Sequence, residues 1–313
     1  MNFYGLSSKR RRSSGPPETW TQNADPSFDT DNIYFAFYGS DGYWVATGAN
    51  NKIATCNGVP TGTWTQRTSN ITSGAIFQSH YADGYWLVVA QHGDYAYQSD
   101  PTGSWTKVDL ASKFGTNNIL TVTSYLSSVW IMAGGSGNLV YATNDPPTTW
   151  SSITSQFGTS SINRVVYENS LYVAIGADGK CSTSTNLTTW TARTSSFSTD
   201  HIYDIGYGDG YWVTVGASGK MAYSTDPTSS FTQITGGNNP FSGTAIYGVG
   251  YGNGQWVAVG AGGKLATTDD PTGVWSLQTS SFGTDQIRNV AYGNGYWVAV
   301  GGNGKLATAV NGA

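Results

Sequence analysis

Charge is scarce in this chain. Only 11% of its 313 residues are Asp, Glu, Lys or Arg, and it holds just two glutamates, three histidines and two cysteines. A run of about 18 apolar residues, the length that crosses a bilayer as a helix, is missing, so no membrane span is predicted. The N-terminal "MNFYGLSSKRRRSSGPP" has basic residues with no apolar stretch behind them, which is not the pattern of a secretion signal. Cys56 and Cys181 lie far apart without metal-ligand spacing, and neither a disulfide nor a metal site is expected of them. His80, His92 and His201 are equally scattered. There is no P-loop and no G-x-S-x-G elbow, and no cofactor is implied.

Aromatic residues and glycine fill the gap. They make up 14% of the chain and 41 residues respectively, a composition that favours short strands and tight turns over helices. The few charges are unevenly placed. Lys9, Arg10, Arg11 and Arg12 give residues 1–15 a formal +4, while the remainder carries 11 basic against 19 acidic side chains, a net of −8. A basic peptide on an acidic body predicts either an extended anchor over residues 1–15 that docks on an acidic protein surface, with nucleic acid ranking below protein as its partner, or a solvated leader with no partner.

The body is a repeat. The aromatic after each "GY" turn, or its equivalent, recurs at Trp44, Trp86, Trp130, Tyr172, Trp212, Trp256 and Trp297, at intervals of 40–44 residues. A second aromatic follows the first six by 18–20 residues, at Trp64, Trp105, Trp150, Trp190, Phe231 and Trp275. The seventh finish is found at the other end of the chain. Trp20 in "PPETWTQ" matches Trp64 in "PTGTWTQ", and it precedes Trp44 by 24 residues, within the 22–25 seen elsewhere. Each unit reads as four short strands. The first is like "IRNVAY" and the second like "YWVAVG", joined by an Asn-Gly or Asp-Gly hairpin turn; the third is like "KLAT"; the fourth carries the second aromatic. This predicts an all-β fold, a seven-bladed β-propeller of four-stranded antiparallel blades. Residues 16–313 form the ring, and blade seven is shared between 16–24 and 285–313, which removes the bare sheet edges of an open row.

The turn into the fourth strand resembles the Asp-box (BNR-type) repeat: Asp100, Asp145, Asp226 and Asp270 each precede the second aromatic by five residues. The glycine departs from the family pattern, since Gly103 and Gly273 lie three residues after the Asp instead of two, and blades one and four lack the Asp. The "YGNGYWVAVG…GKLAT" texture is also similar to propeller modules of bacteriophage virion and tail proteins. That resemblance implies a non-enzymatic, structural or host-contacting protein of the virion, made in the host cytoplasm and held to other tail proteins through residues 1–15. A lectin-like propeller that binds a host surface glycan is the alternative. An intracellular assembly factor, like the propellers that help build photosynthetic complexes, and a glycosidase stand behind these.

The Asp-box resemblance brings sialidases into view, and these need three substrate-gripping arginines and a tyrosine nucleophile activated by a glutamate. Glu18 and Glu168 both sit away from any central pocket, and outside the N-terminal peptide only Arg164 and Arg288 fall on innermost strands. Most aspartates occupy turns, where capping explains them. The chain is therefore expected not to be an enzyme. Binding is expected at the channel mouth, one residue past the strand-initial Ile or its equivalent (Leu120 in blade three), where the repeat varies: Tyr34, Phe77, Thr121, Asn163, Tyr203, Tyr247 and Arg288. His201 and Asp285, from the loops leading into those strands, join the candidate site. Flat aromatic faces beside fixed polar groups suit a sugar, although rings at such positions also pack between blades.

Overall fold

The turns that punctuate the repeat adopt the geometry their residues demand. Asp209, Asn253 and Asn294 have φ of 47°, 48° and 50°, and Gly210, Gly254 and Gly295 after them have 80°, 80° and 82°. Two successive left-handed residues make the tight turn whose twist matches that of the flanking strands. The computed structural model describes residue 15 and residues 19–23, 27–72, 74–125 and 128–310. Lys9, Arg10, Arg11 and Arg12 of the expected anchor lie outside these residues.

Seven four-stranded antiparallel sheets result. Blades one to six cover residues 33–67, 76–109, 119–153, 162–193, 202–233 and 246–278. Blade seven is built from Ile287–Gly293, Tyr296–Gly301, Leu306–Val310 and, from the other end of the chain, Thr21–Gln22. Thr21 pairs with Thr308 and Gln22 with Ala307, and the Asn23 backbone N–H donates to the Leu306 carbonyl at 2.8 Å. The ring closes as the two matching aromatic contexts predict. The innermost strands, Ile33–Tyr38 through Ile287–Gly293, pack in succession around the axis, with the last against the first.

The core lies between blades. Strand two of one blade presents Val45 to Ile76 and Trp86 of the next, and the same contact recurs round to Val298 and Val300 against Ile33 and Trp44. Because a strand turns alternate side chains to opposite faces, each blade feeds two interfaces. The first-aromatic tryptophans are at most 1% exposed, and neither cysteine is paired. The Asp-x-x turns are capped locally: in Asp100, Asp226 and Asp270, Oδ1 accepts the backbone N–H and hydroxyl of the Thr two residues on, at 2.9 and 2.7 Å.

Two further devices set the face on which the candidate site opens. The glycine closing strand two sits against the carbonyl that precedes the innermost strand; a Cβ on Gly216 would lie 2.1 Å from the His201 oxygen. Its φ of −173° is ordinary extended backbone, so space and not conformation selects glycine here. In five blades a lysine after the next turn reaches back to the carbonyl of a buried phenylalanine in the incoming loop: Lys52 to Phe28, Lys180 to Phe157, Lys220 to Phe197, Lys264 to Phe241 and Lys305 to Phe282, at 2.6–3.1 Å. These bonds hold the loops that surround the channel mouth.

Candidate functional site

Every innermost strand carries a β-bulge one residue past its first Ile. The pairing steps from Ile33 to Phe35, Ile76 to Gln78, Ile119 to Thr121, Ile162 to Arg164, Ile202 to Asp204, Ile246 to Gly248 and Ile287 to Asn289. A bulge leaves one residue outside the ladder and re-aims its side chain. The skipped residues are Tyr34, Phe77, Leu120, Asn163, Tyr203, Tyr247 and Arg288. This is the ring the sequence pointed to, with one correction. In blade three the bulged residue is Leu120, and Thr121 is fully buried, its hydroxyl accepting the Val165 N–H at 3.4 Å.

Five of these side chains, Tyr34, Phe77, Tyr203, Tyr247 and Arg288, line a cavity of about 440 Å³. The rings stand in pairs. Tyr34 and Phe77 have centroids 5.9 Å apart, and Tyr203 and Tyr247 are 5.6 Å apart. Arg288 lies between the pairs, its guanidinium carbon 5.4 Å from the Tyr34 centroid and 5.4 Å from the Tyr247 centroid. Leu120 and Asn163 complete the ring on the far side. The Asn163 amide donates to the Ile202 carbonyl at 2.7 Å, which ties blade four to blade five.

A smaller cavity of about 130 Å³ continues below, floored by Phe35, Gln78, Arg164, Asp204 and Asn289. These residues stitch blades together. Gln78 donates to the Val122 carbonyl and accepts its N–H, both at 3.0 Å, and Asn289 accepts the Ala36 N–H at 3.1 Å. Asp204 is 6% exposed and accepts the Ile205 and Val249 N–H groups at 2.9 and 3.1 Å. Arg164 Nε lies 3.3 Å from Asp204 Oδ1, misaligned for a hydrogen bond, and its guanidinium crosses the channel onto the Phe35 ring at 4.8 Å. Burial pushes the Asp204 carboxyl above its ordinary range, against the pull of Arg164 and of the two backbone donors.

The two loop residues fall elsewhere. His201 is exposed on the rim, stacked 6.2 Å from Tyr203. Asp285 is held by Lys305 at 2.8 Å and by the Asn303 amide at 2.7 Å, so it serves the loop and does not line the cavity. Sequence reasoning missed a further pair deeper in the channel: the Nε2 atom of His80 lies 3.1 Å from the Ser124 hydroxyl, between the rings of Phe37 and Trp130. The two residues are 44 apart on neighbouring blades, and no local motif joins them.

Burial, helped by the charge of Arg164, pushes His80 down to about 3. The fold therefore holds this imidazole neutral. Its contribution to stability is complete above pH 6.5 and is lost as the pH falls towards 3, because only the unfolded chain takes up the proton. Urea unfolding at pH 7 and pH 5 should show a loss of about 2 kcal/mol from this group. His80→Gln should remove that part of the slope, and an unchanged slope in the variant would refute the assignment.

Among the described residues no group of three or more His, Cys, Asp or Glu is placed to hold a metal ion, and no helix is long and apolar enough to cross a membrane. No protein-family model matches the chain. No curated protein matches it by sequence. Solved structures do match, YCF48 and streptogramin B lyase propellers among them. YCF48 from Cyanidioschyzon merolae is 16% identical with a TM-score of 0.76, over 93% of this chain and 98% of that one. YCF48 bound to D1 peptide is 14% identical at a TM-score of 0.75, over 94% and 97%. A catalytically inactive virginiamycin B lyase from Staphylococcus aureus, solved with quinupristin, is 10% identical at a TM-score of 0.80, over 93% and 99%.

At such identities the likeness is one of fold. It nevertheless corrects two expectations. The structures described above are YCF48 and a lyase, neither a phage appendage, so the expectation of a virion or tail protein is corrected. The expectation that the chain is not an enzyme falls as well, because the same ring in virginiamycin B lyase belongs to an enzyme. The misreading has a physical origin: the repeated glycines, tryptophans and hairpin turns answer to blade geometry, and any propeller that meets those demands acquires the same texture.

Proposed function

We propose that the propeller is a protein-docking module that holds an extended segment of a partner chain in its aromatic mouth. One observation carries the reading. The bulge recurs in all seven blades, yet the residue it aims at the axis is not fixed: three are tyrosine and the others are Phe77, Leu120, Asn163 and Arg288, so four of the seven are aromatic. Scaffold positions repeat because every blade needs the same packing; the bulged positions are free of the ladder and are used for contact. Paired rings around about 440 Å³ give slots for apolar side chains of a peptide. YCF48 bound to D1 peptide, a propeller of the same architecture, supports the choice of a peptide as ligand.

The test is a displayed library of random heptapeptides selected on the full chain. Selected peptides should lose about thirtyfold in affinity on the double variant Phe77→Ala/Tyr203→Ala, the effect of losing a hot spot of ~2 kcal/mol. The melting temperature should barely move, since neither side chain belongs to a core cluster. Peptides that bind the double variant as well as the wild type would refute docking at the mouth. A glycan array that finds mouth-dependent binding where the peptide library finds none would move the ligand from protein to sugar.

A further inference from the structure

Several aromatic rings around an opening commonly capture a ligand cation, because each ring presents a negative face. In this mouth the chain has supplied the cation itself. Arg288 stands between Tyr34 and Tyr247 at 5.4 Å from each centroid, closing the place that an incoming ammonium group would take. A second cation there would meet a guanidinium in place of ring faces.

Arg288 is also unspent. Its Nε atom is buried with no hydrogen-bond acceptor. The carboxylates of this face are already engaged: Asp285 with Lys305 at 2.8 Å, Asp200 with Lys220 at 2.8 Å, and Asp204 with Arg164 at 3.3 Å. The contrast with Arg164 is informative, because that arginine also lies on an aromatic face but has a carboxylate beside it. A guanidinium flanked by two rings loses little freedom when an acceptor arrives, and a planar carboxylate matches its N–H fork with two parallel hydrogen bonds. A bound acceptor would also relieve an N–H that is now shielded from water.

We infer that Arg288 converts the aromatic mouth from a cation cage into a carboxylate seat. Resting on the docking reading, this means that the docked segment presents an acidic side chain or its own C-terminus. Asn163 and Leu120, across the opening, carry no charge that would repel or duplicate this contact.

Small probes test the seat whether or not a peptide is found. The full chain is titrated with 3-phenylpropionate and with phenethyltrimethylammonium, followed by ligand-observed NMR. The wild type should bind the anion at least about tenfold tighter than the cation, and Arg288→Ala should reverse that order by opening the cage. Arg288→Gln keeps the length of the side chain and removes only its charge; it should lose the anion preference even if the alanine variant fails to fold. Acetyl-Phe-Gly as the free acid, acetyl-Phe-Gly-amide and acetyl-Phe-Glu-amide then separate a chain end from a side chain, and either acid outbinding the neutral amide supports the seat. The inference is overturned if the wild type binds the cation as well as the anion, if it binds neither, or if both Arg288 variants keep the anion preference. Failure of the peptide library with retention of the probe preference would remove the docking reading and leave the seat.

Discussion

Replacing Trp20 by alanine is expected to cost about 3–5 kcal/mol of unfolding free energy, the range for truncating a large buried aromatic. Trp20 is 5% exposed and belongs to a core cluster with Phe282 of the loop entering the last blade, Trp297 of that blade, and Val257, Val259 and Leu265 of blade six. It stands directly before the two-residue strand whose pairing closes the ring. The Asn23 amide continues the seam, donating to the Gly62 carbonyl of blade one at 3.1 Å. Since every core cluster joins two consecutive blades, a defect at the seam loosens both neighbours, and the loss should appear as one shifted transition and not as a minor early phase. A chain beginning at Asn23 should lose more than the single substitution, whereas one beginning at Gly15 should melt like the full protein. Urea unfolding followed by far-UV circular dichroism decides the matter; a loss under about 1 kcal/mol, the scale of an ordinary surface change, would mean that blade seven stands without its fourth strand.

Arg164→Leu should be comparably severe and, unlike the first, should depend on pH. Asp204 is buried, and Arg164 is its counter-charge; removing one member of such a pair costs about 3–5 kcal/mol because the other is left charged without compensation. The sign follows from the raised carboxyl. A group that holds its proton more tightly in the fold than in the unfolded chain favours the fold at low pH, and that contribution is lost as the pH rises through the folded value. Without Arg164 the carboxyl moves further up, so the variant suffers most at neutral pH and recovers on acidification. His80 works in the same direction in this comparison, because Arg164 is one of the causes that keep it unprotonated. The difference between wild type and variant should therefore shrink from pH 7 to pH 5 in urea melts. A cost that stays constant across that range would show that the guanidinium acts through its packing on Phe35 and not through charge.

The architecture was legible because it is written in short-range chemistry repeated seven times. Asn-Gly turns force a hairpin, alternating strands force two buried faces, and the stranded Trp20 can only complete a blade that lacks its tryptophan. The mouth was legible in outline, since variation inside a rigid repeat marks positions exempt from packing. Its detail was not. In blade three "NNILT" offers two adjacent apolar residues for the strand-initial place; taking Leu120 for it pointed to Thr121, whereas Ile119 holds that place and Leu120 is the residue that bulges. Proximity along the chain does not say which way a carboxylate turns: Asp285 is three residues from Arg288 yet bonds to Lys305. The Arg164–Asp204 and His80–Ser124 pairs join strands 40 and 44 residues apart, and they become visible only when blades are set side by side.

Seven is an odd number, and the mouth makes use of it. In a ring with an even count each side chain has a counterpart directly across the axis, so a charge on one blade can be balanced or mirrored by its diametric mate. Here Arg288 of blade seven looks across at the gap between Leu120 of blade three and Asn163 of blade four, with one aromatic pair on either hand. Among the seven bulged positions the opening thus has one positive side, at Arg288, and an uncharged gap opposite; on the docking reading, a rod-like guest would be oriented by that difference before any of its side chains is read.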